Sequence, residues 1–362
     1  VEDEMSNTIH TIVVNDINYI ANCQIQFIAD YSYLNSQKVN EMIGSFEYHI
    51  NPKEDFEYTV TDLGVVINKY VGSSKICEIP VEIEGTEVTS IGRYAFAESK
   101  VQEVILPNCI TSIGAYAFGS CSNLINIKLP SGITSIEEYT FEECESLESI
   151  TLPNSLTSIG KYAFFSCEGL MSIEIPDSVT SIENNAFEGC SSLKNITLPS
   201  LLTSIGEDAF FYCNNLTDLY YKGTIEGWCK ITFVTRNSNP MYYASHFYLR
   251  NSNNEWEEVT EIVIPEAITE INAYQFIGFN SVKKIQLSTN LTRIGNFAFY
   301  NCSSLTSITI PISVLRMGDA VFNGCNELVI NCEANSKPSY WSSYWVSESQ
   351  YFIIVNWGFK QE

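Results

Sequence analysis

The chain has 362 residues, 45% of them hydrophobic and 13% aromatic, and this composition predicts an ordered protein with a large apolar interior. Its formal net charge of −24, from 43 acidic against 19 basic residues, argues against nucleic acid and anionic membranes as partners. No apolar run approaches the ~18 residues that a membrane-spanning helix needs, so no membrane insertion is expected.

Residues 1–55 are predicted to form an N-terminal appendage made of a hairpin and a short helix. Thr11–Val14 and Ile17–Ala29 have the composition of strands, and Asn15-Asp16 supplies a turn between them. Ser36 can cap a short helix with one apolar face. The residues of that face are Val39, Met42, Ile43 and Phe46.

Residues 56–90 are predicted to form an N-terminal cap and an irregular first coil. The segments E-Y-T-V-T and V-V-I-N-K-Y flank a turn at Asp62-Leu63-Gly64, which is the pattern of a hairpin. A stack of coils must cover its first open edge, and a hairpin at this place can do so.

Residues 91–221 and 261–330 carry a repeat, in which an isoleucine or methionine is followed five residues later by phenylalanine. These phenylalanines are Phe96, Phe118, Phe141, Phe164, Phe187, Phe210, Phe276, Phe299 and Phe322. The step is 23 residues from Phe118 to Phe210 and again from Phe276 to Phe322, and a fixed period of this length predicts a solenoid of stacked coils.

The repeat reads P-x-x-[ILV]-T-S-I-x-x-x-A-F-x-x-C-x-x-L-x-x-I-x-[LI]. Its last apolar positions alternate with polar ones, which predicts a strand with one buried face, and the next proline ends that strand. T-S-I predicts a second short strand, and G-x-x-A-F-x-x-C fits a single helical or 3₁₀ turn. Each coil buries its Phe and Leu against near-identical neighbours, for roughly 1.5–3 kcal/mol per side chain.

A cysteine follows the phenylalanine by three residues in most coils, at 121, 144, 167, 190, 213, 302 and 325. Strands about 4.8 Å apart would allow either a disulfide ladder or a column of free thiols. Parallel side chains, and Ser99 and Phe279 at the same position in two other coils, favour buried free thiols that act as small hydrophobic groups.

Residues 222–260 interrupt the repeat as an aromatic-rich insert, and residues 331–362 are predicted to form a C-terminal cap. Leu219 and Ile262 are equivalent strand positions by the motif, 43 residues apart, which leaves one coil plus 20 extra residues. The aromatic side chains of the tail either cover the last coil or form a ligand platform.

The modules L-P-N-S-L-T-S-I-G-K-Y-A-F-F-S-C and I-P-D-S-V-T-S-I-E-N-N-A-F-E-G-C resemble the BspA-like leucine-rich repeats. The lead-in Y-T-V-T-D-L-G-V-V-I-N-K-Y and the insert segment G-T-I-E-G-W-C-K-I-T-F resemble them too, and the similarity covers residues 56–360. It implies an α/β-type, predominantly β solenoid. In this right-handed superhelix, a parallel concave sheet, short second strands and single helical turns are capped at both ends.

Proteins of the family that the chain resembles occur on the surfaces of host-associated bacteria and of a parasitic protist, and they are linked to adhesion. The resemblance therefore implies an extracellular or cell-surface location. It also implies a protein ligand, from the host extracellular matrix or from another cell surface. A monomer is favoured, because the high negative charge limits self-association.

The candidate ligand-binding residues lie on the strands and in the insert. On the strands the exposed positions are mostly small and polar, and only Tyr220 is of a type common in binding hot spots. The candidates are Tyr220, Tyr221, Trp228, Arg236, Tyr242, Tyr243, Lys128, Glu174, Asp218, Lys284 and Gln286. Inward packing of the insert aromatics to complete a bulged coil is the alternative.

Two other functions stay open at this point: a carbohydrate-binding module that uses the insert or C-terminal aromatics, and a structural spacer that presents another domain. No cofactor or metal site is expected. The three histidines, His10, His49 and His246, lie outside the regular coils, and no catalytic or nucleotide-binding motif occurs. The sequence therefore favours a binding protein over an enzyme.

Overall fold

The computed structural model describes residues 11–12, 27–28, 50–346 and 353–360. The chain divides into two compact units, residues 1–51 and 52–362. In the first unit, the strands Thr11–Ile12 and Phe27–Ile28 form an antiparallel pair. A turn at Asn15-Asp16 would place Ile12 opposite Tyr19, so the observed pairing of Ile12 with Phe27 is not that of the predicted hairpin. The predicted turn and the helix expected after Ser36 lie outside the described residues.

The second unit begins with the hairpin that the sequence predicts. Phe56–Thr61 pairs in antiparallel with Gly64–Tyr70, and the second of these strands pairs in parallel with Thr86–Ile91. The hairpin thus continues into the stack of coils. The unit is a β-solenoid of about 12 turns, as the period predicts. Two short elements complete this end, the 3₁₀ turn Lys53–Asp55 and the strand Glu82–Ile83.

One column of strands, here called the L-strands, is formed in the regular coils by the L-x-x-I-x-L part of the repeat and is continued elsewhere by strands without this motif. They are Ile76–Glu78, Glu103–Ile105, Asn126–Lys128, Ser149–Thr151, Ser172–Glu174, Asn195–Leu198, Asp218–Tyr221, His246–Arg250, Glu261–Val263, Lys284–Gln286, Ser307–Ile310, Val329–Cys332 and Ile354–Trp357. In the regular coils the pairing is parallel with a register of one repeat, so that Ile127 lies opposite Ile150. Each apolar side chain therefore packs against its own copy.

A second column, here called the T-strands, comes from T-S-I. Its strands are Thr86–Ile91, Ser112–Ile113, Ser135–Ile136, Ser158–Ile159, Ser181–Ile182, Ser204–Ile205, Thr232–Phe233, Glu270–Ile271, Arg293–Ile294 and Arg316–Met317. These strands also pair in parallel, as Ile159 does with Ile182, and the isoleucine of each regular T-strand is buried. The second short strand predicted for each coil is confirmed.

The repeated phenylalanines form a buried ladder along the interior. Phe141, Phe164 and Phe187 stack with ring centroids 5.4 and 5.2 Å apart and with planes 8° and 4° from parallel. All three side chains are inaccessible to solvent. Ring stacking adds to the free energy gained by burying each ring.

The segment around each phenylalanine consists of hydrogen-bonded turns and does not continue as a helix. The Ala163 N–H donates to the Gly160 carbonyl, which is the i to i+3 bond expected of a 3₁₀ turn. Tyr162 and Ser166, two residues before and after Phe164, have φ of 55° and 53°. These left-handed residues end each turn before a helix can propagate, so each coil has one short turn, as the sequence predicts.

The cysteines form a column beside the rings. The Cys144 Sγ donates to the Phe118 carbonyl at 3.2 Å, and Cys167 bonds to Phe141 in the same way at 3.1 Å. Burial raises the pKa of the Cys144 and Cys167 thiols well above the ordinary value. The thiols in this column are free and form no disulfides. Their hydrogen bonds to carbonyl groups join neighbouring coils.

The insert adds a full coil that the motif does not reveal. Leu219 pairs with Phe247 and Ser204 with Thr232, so both columns take their next strand 28 residues later. The motif predicts that the 43 residues from Leu219 to Ile262 make one coil plus 20 extra residues. Instead the strand His246–Arg250, which lacks the motif, takes the place next to Leu219 in the column. The remaining elements are the helix Ile225–Trp228, the 3₁₀ turns Arg236–Ser238 and Pro240–Tyr242, and the antiparallel strand Trp256–Glu258.

The C-terminal end covers the last regular coil with tryptophans. Val329–Cys332 pairs in parallel with Ile354–Trp357. Trp341 and Trp345 are buried, their ring centroids lie 5.1 Å apart, and Trp345 packs on Phe322. These contacts favour the covering role of the tail over a ligand platform.

Candidate functional site

The outward face of the L-strands in the regular coils is mostly small and polar. Lys128, Glu174, Lys284 and Gln286 are exposed there, as alternation along the strands predicts. They lie on three coils, since Lys284 and Gln286 share one strand, and their neighbours are mostly Ser, Thr and Asn. Lys222 pairs with Glu174, the Nζ to Oε1 distance being 2.8 Å. These residues do not form one concentrated site.

A group of large side chains gathers on the outward face where the insert joins the L-strands. We call it the sheet-face cluster, and its members are Asp218, Tyr220, His246, Tyr248, Arg250, Trp256 and Glu258. Asp218 pairs with His246 and Tyr220 with Tyr248 across neighbouring parallel strands. The strand Trp256–Glu258 returns beside His246–Arg250 and adds its own side chains to the same face.

The aromatic rings of the cluster hold one another in place. Tyr220 and Tyr248 stack with centroids 4.7 Å apart, and Trp256 meets Tyr220 edge to face at 5.1 Å. The guanidinium carbon of Arg250 lies 4.0 Å from the Trp256 ring centroid, and an Arg250 Nη1–H donates to the Asn254 carbonyl. The cation is therefore fixed against an aromatic face.

Polar contacts fix the orientation of the other side chains. The Tyr248 hydroxyl donates to Asp218 at 3.2 Å, and His246 Nδ1 lies 2.7 Å from a Glu258 oxygen. Burial, then the negative charge of Asp218, raises the pKa of Tyr248 to about 12. The phenol thus keeps its proton, and remains a hydrogen-bond donor, throughout the neutral range.

Two predicted site residues, Tyr221 and Trp228, lie in the core. Both are fully buried, with ring centroids 5.4 Å apart. The Trp228 indole N–H donates to the Gln275 carbonyl at 2.9 Å, and the Gln275 amide donates back to the Trp228 carbonyl. Neither ring can reach a surface ligand, and both complete the packing of the longer coil.

Three further candidates, Arg236, Tyr242 and Tyr243, lie beside the turn that carries Tyr212. The Arg236 guanidinium carbon is 5.3 Å from the Tyr242 ring centroid, and the Tyr212 N–H donates to the Tyr243 hydroxyl at 3.2 Å. This group belongs to the turn segments, whereas Asp218 and Tyr220 belong to the L-strands. The structure does not bring these two sets of predicted residues together.

Five members of the sheet-face cluster were not among the candidates. They are His246, Tyr248, Arg250, Trp256 and Glu258. The run H-F-Y-L-R alternates as a strand, with Phe247 inward and its neighbours outward, and this alternation is the signal that could have found three of them. The antiparallel return of Trp256–Glu258 has no comparable signal in the repeat.

In the described ranges, no group of three or more His, Cys, Asp or Glu side chains is placed to hold a metal ion. Over the same residues, no helix has the length and apolar character needed to cross a bilayer.

Three solved structures illustrate what the chain is similar to. A leucine-rich cell surface protein of Faecalibacterium prausnitzii is 22% identical with a TM-score of 0.46, the match covering 88% of this chain and 97% of that one. A leucine-rich repeat protein of Bacteroides ovatus is 23% identical with a TM-score of 0.43, covering 86% and 91%. One of T. pallidum is 22% identical with a TM-score of 0.39, covering 71% and 91%.

No curated protein sequence matches the chain. The family comparison is more informative, because it rests on the repeated coils themselves. Residues 89–217 and 250–350 match the BspA type leucine rich repeat region in 6 copies. These two segments make up more than half of the chain, and the chain therefore belongs to the BspA-type leucine-rich repeat family.

Proposed function

We propose that this chain is a secreted or cell-surface recognition protein that binds a protein partner through the sheet-face cluster, as an adhesin does. Leucine-rich repeat proteins are typically non-enzymatic scaffolds and commonly bind proteins. The observation that carries the proposal is the concentration of one Trp, two Tyr and one Arg on a face that is otherwise small and polar. Residues of these types dominate the energetics of protein interfaces.

The cluster is organised before a partner arrives. Stacking of Tyr220 on Tyr248, and the bond from Tyr248 to Asp218, already restrict the side chains. Binding then loses less rotamer entropy than it would with free side chains, about 0.5–1.5 kcal/mol for each one ordered. The surrounding Ser and Thr positions leave the cluster accessible to a broad protein surface.

Carbohydrate stacking is less suited to this cluster. A sugar needs an open ring face, whereas Tyr220 and Tyr248 lie face to face and Arg250 covers one face of Trp256. The C-terminal rings Trp341 and Trp345 are buried, which removes them as a sugar platform. Protein recognition by ring edges, hydroxyls and the guanidinium is the better match.

An adhesion assay tests the proposal. Purified chain is titrated by surface plasmon resonance over a panel of extracellular-matrix proteins, and binding to intact host and neighbouring bacterial cells is measured in parallel. We expect Tyr220→Ala/Trp256→Ala to lower affinity at least ~30-fold, since hot-spot residues contribute about 2 kcal/mol or more. The control Lys284→Ala/Gln286→Ala changes the same face away from the cluster and should bind normally.

Equal binding by the cluster variant and the wild-type chain would remove the cluster from the site. Failure of the wild-type chain to bind saturably to any matrix protein or cell surface would contradict adhesion. A glycan array with strong hits that the Tyr220→Ala/Trp256→Ala variant loses would replace the protein partner with a carbohydrate.

A further inference from the structure

Four tyrosines form a second, external aromatic column in the turn segments, here called the tyrosine ladder. Its members are Tyr94, Tyr116, Tyr139 and Tyr162, which lie two residues before the buried phenylalanines of consecutive coils. Successive ring centroids are 4.7, 4.4 and 4.7 Å apart. Tyr94 is 49% exposed and the other three are partly buried, so that each ring covers its neighbour and presents its rim to solvent.

The backbone at these positions is unfavourable for tyrosine. The four residues have φ between 55° and 60°, in the left-handed region, where a bulky residue costs of order 1–3 kcal/mol. The next two coils carry Asn185 and Asp208 there, which tolerate this conformation better. Stacking contributes about 0.5–1.5 kcal/mol per ring pair. Stacking alone therefore gives a weak reason for four tyrosines in succession.

Acidic side chains flank the middle of the ladder. Glu138 precedes Tyr139 directly and is exposed, and Glu142 and Glu143 follow in the same turn. Burial, then neighbouring phenols and the charge of Glu142, raise the pKa of Tyr116 and Tyr139. Glu138 and Glu142 thus place negative charge near the rims of these rings, which favours a cationic group beside them.

The chain already places one cation against the ladder. The guanidinium carbon of Arg93 lies 5.0 Å from the Tyr94 centroid and 5.3 Å from the Tyr116 centroid. An Arg93 Nη2–H also donates to the Tyr94 hydroxyl at 3.4 Å. One guanidinium therefore fits beside two successive rings. Ala115 and Glu138, the equivalents of Arg93 in the next two coils, supply no cation of their own, whereas Lys161 holds that position before Tyr162.

We propose that the tyrosine ladder binds an arginine-rich segment of a partner protein. Guanidinium groups of the partner lie beside Tyr116 and Tyr139 as Arg93 lies beside Tyr94, and Glu138 and Glu142 supply the complementary charge. Arginine suits this site better than lysine, because its planar group offers several N–H donors to phenol and carboxylate oxygens at the ring rims and is weakly hydrated. The surface is built from turn segments and is distinct from the sheet-face cluster on the L-strands.

The C-terminal coils contain a matched control. Tyr274 and Phe297 occupy the same position in their coils, stack at 5.5 Å with planes 8° apart, and have φ of 62° and 56°. The residues that precede them, Ala273 and Asn296, are uncharged. This pair has the stacking of the ladder with one acidic residue beside it, Asp319, whose carbonyl accepts from the Phe297 N–H. The ladder has three such acids, so a cationic segment has less electrostatic reason to choose this pair.

The test titrates a fluorescent octa-arginine peptide into the full chain in ~50 mM salt and follows anisotropy. We expect Tyr116→Asn/Tyr139→Asn/Tyr162→Asn to weaken binding at least tenfold. Asparagine is native at the equivalent position 185, so the left-handed backbone is preserved and the variant should fold. Glu138→Gln/Glu142→Gln should weaken binding about threefold to tenfold, and octa-lysine should bind the wild-type chain more weakly than octa-arginine.

Tyr274→Asn should leave the affinity unchanged. The proposal is overturned if the triple variant keeps the wild-type circular dichroism spectrum and also keeps full affinity, because the peptide would then respond only to the bulk charge. An equal loss of affinity in Tyr274→Asn, or no binding of octa-arginine to the wild-type chain, would overturn it as well.

Discussion

The regular coils and the insert coil use the same two strand columns but fill them differently. Between Phe118 and Phe210 the buried rings and thiols meet copies of themselves from the next coil, and the aliphatic positions meet an identical or similar side chain. In the insert coil, Trp228 contacts Tyr221, Phe233, Phe247 and Phe279, and no two of these rings occupy equivalent positions.

The regular coils and the insert coil also differ in the side chains that they expose. In the regular coils the outward strand positions are mostly small or singly charged, whereas beside the insert they carry Tyr220, Tyr248, Arg250 and Trp256. Where neighbouring coils have the same sequence pattern, packing against an equivalent residue restricts which side chains fit. Where they do not, large side chains occupy both the interior and the outward face, and the proposed recognition site lies among them.

The largest expected effect is the loss of Trp228, whose indole has no equivalent in the neighbouring coils. Trp228→Ala should lower the free energy of unfolding by about 5 kcal/mol, at the upper end for a buried aromatic side chain. It removes contacts to four rings and leaves the Gln275 carbonyl without the indole N–H. Urea denaturation followed by circular dichroism measures the change. A loss below ~2 kcal/mol would mean that the insert coil repacks easily.

Phe164→Ala makes the corresponding cavity in a regular coil and should cost about 3–4 kcal/mol. Since each coil touches only its neighbours, hydrogen exchange should quicken in the adjacent coils, around Phe141 and Phe187, and stay unchanged near Phe299. Faster exchange spread evenly over both halves would show that the regular coils are not independent units.

The thiol column gives a smaller effect that depends on pH. Cys167→Ala should cost about 2 kcal/mol at pH 7, from a small cavity and the lost bond to the Phe141 carbonyl. Burial raises the pKa of Cys167 well above the ordinary value, so the thiol stabilises the folded state fully at pH 7 and progressively less as pH rises.

With an ordinary thiol pKa of about 8.5 in the unfolded chain, the wild-type protein loses about 2 kcal/mol per such thiol between pH 7 and pH 10. The alanine variant lacks this loss at position 167, and its stability should approach that of the wild-type chain at pH 10. Urea denaturation at both pH values measures the difference. A gap that stays constant with pH would contradict a buried, neutral thiol.

Tyr248→Phe should have the smallest effect. It removes one hydroxyl bond to Asp218 on a partly exposed face and should cost no more than ~1 kcal/mol of stability. Tyr248 has a pKa of about 12, so it should ionise later than an exposed phenol. In an ultraviolet pH titration, the Tyr248→Phe variant should therefore lack one of the phenols that ionise at high pH. A titration curve equal to that of the wild-type chain would show that Tyr248 ionises like an exposed phenol.

The repeat predicted the fold because local and global signals agree in it. Phe164, Cys167 and Leu170 recur at a fixed spacing, and a parallel register of one repeat stacks them without further information. The sequence could also have separated Tyr220 from Tyr221. Tyr221 shares the parity of the buried Leu219, which places it inward, and Tyr220 outward.

The rest of the candidate site depends on pairings that spacing does not encode. Tyr248 reaches Asp218 only because His246–Arg250 replaces a motif-bearing strand in the column, and Trp256 reaches Tyr220 only because the chain reverses after Arg250. Trp228 is buried by a four-residue helix too short to show a periodic pattern.

The shared 23-residue register of strands, rings and thiols has a consequence for how such a chain changes length. Removing or duplicating one whole period between Phe118 and Phe210 joins segments whose backbone partners and side-chain neighbours are equivalent, so a shorter or longer protein folds by the same contacts. Recombination between coding repeats can therefore vary the distance between the two capped ends, while the insert coil, which has no duplicate, passes through such exchanges intact.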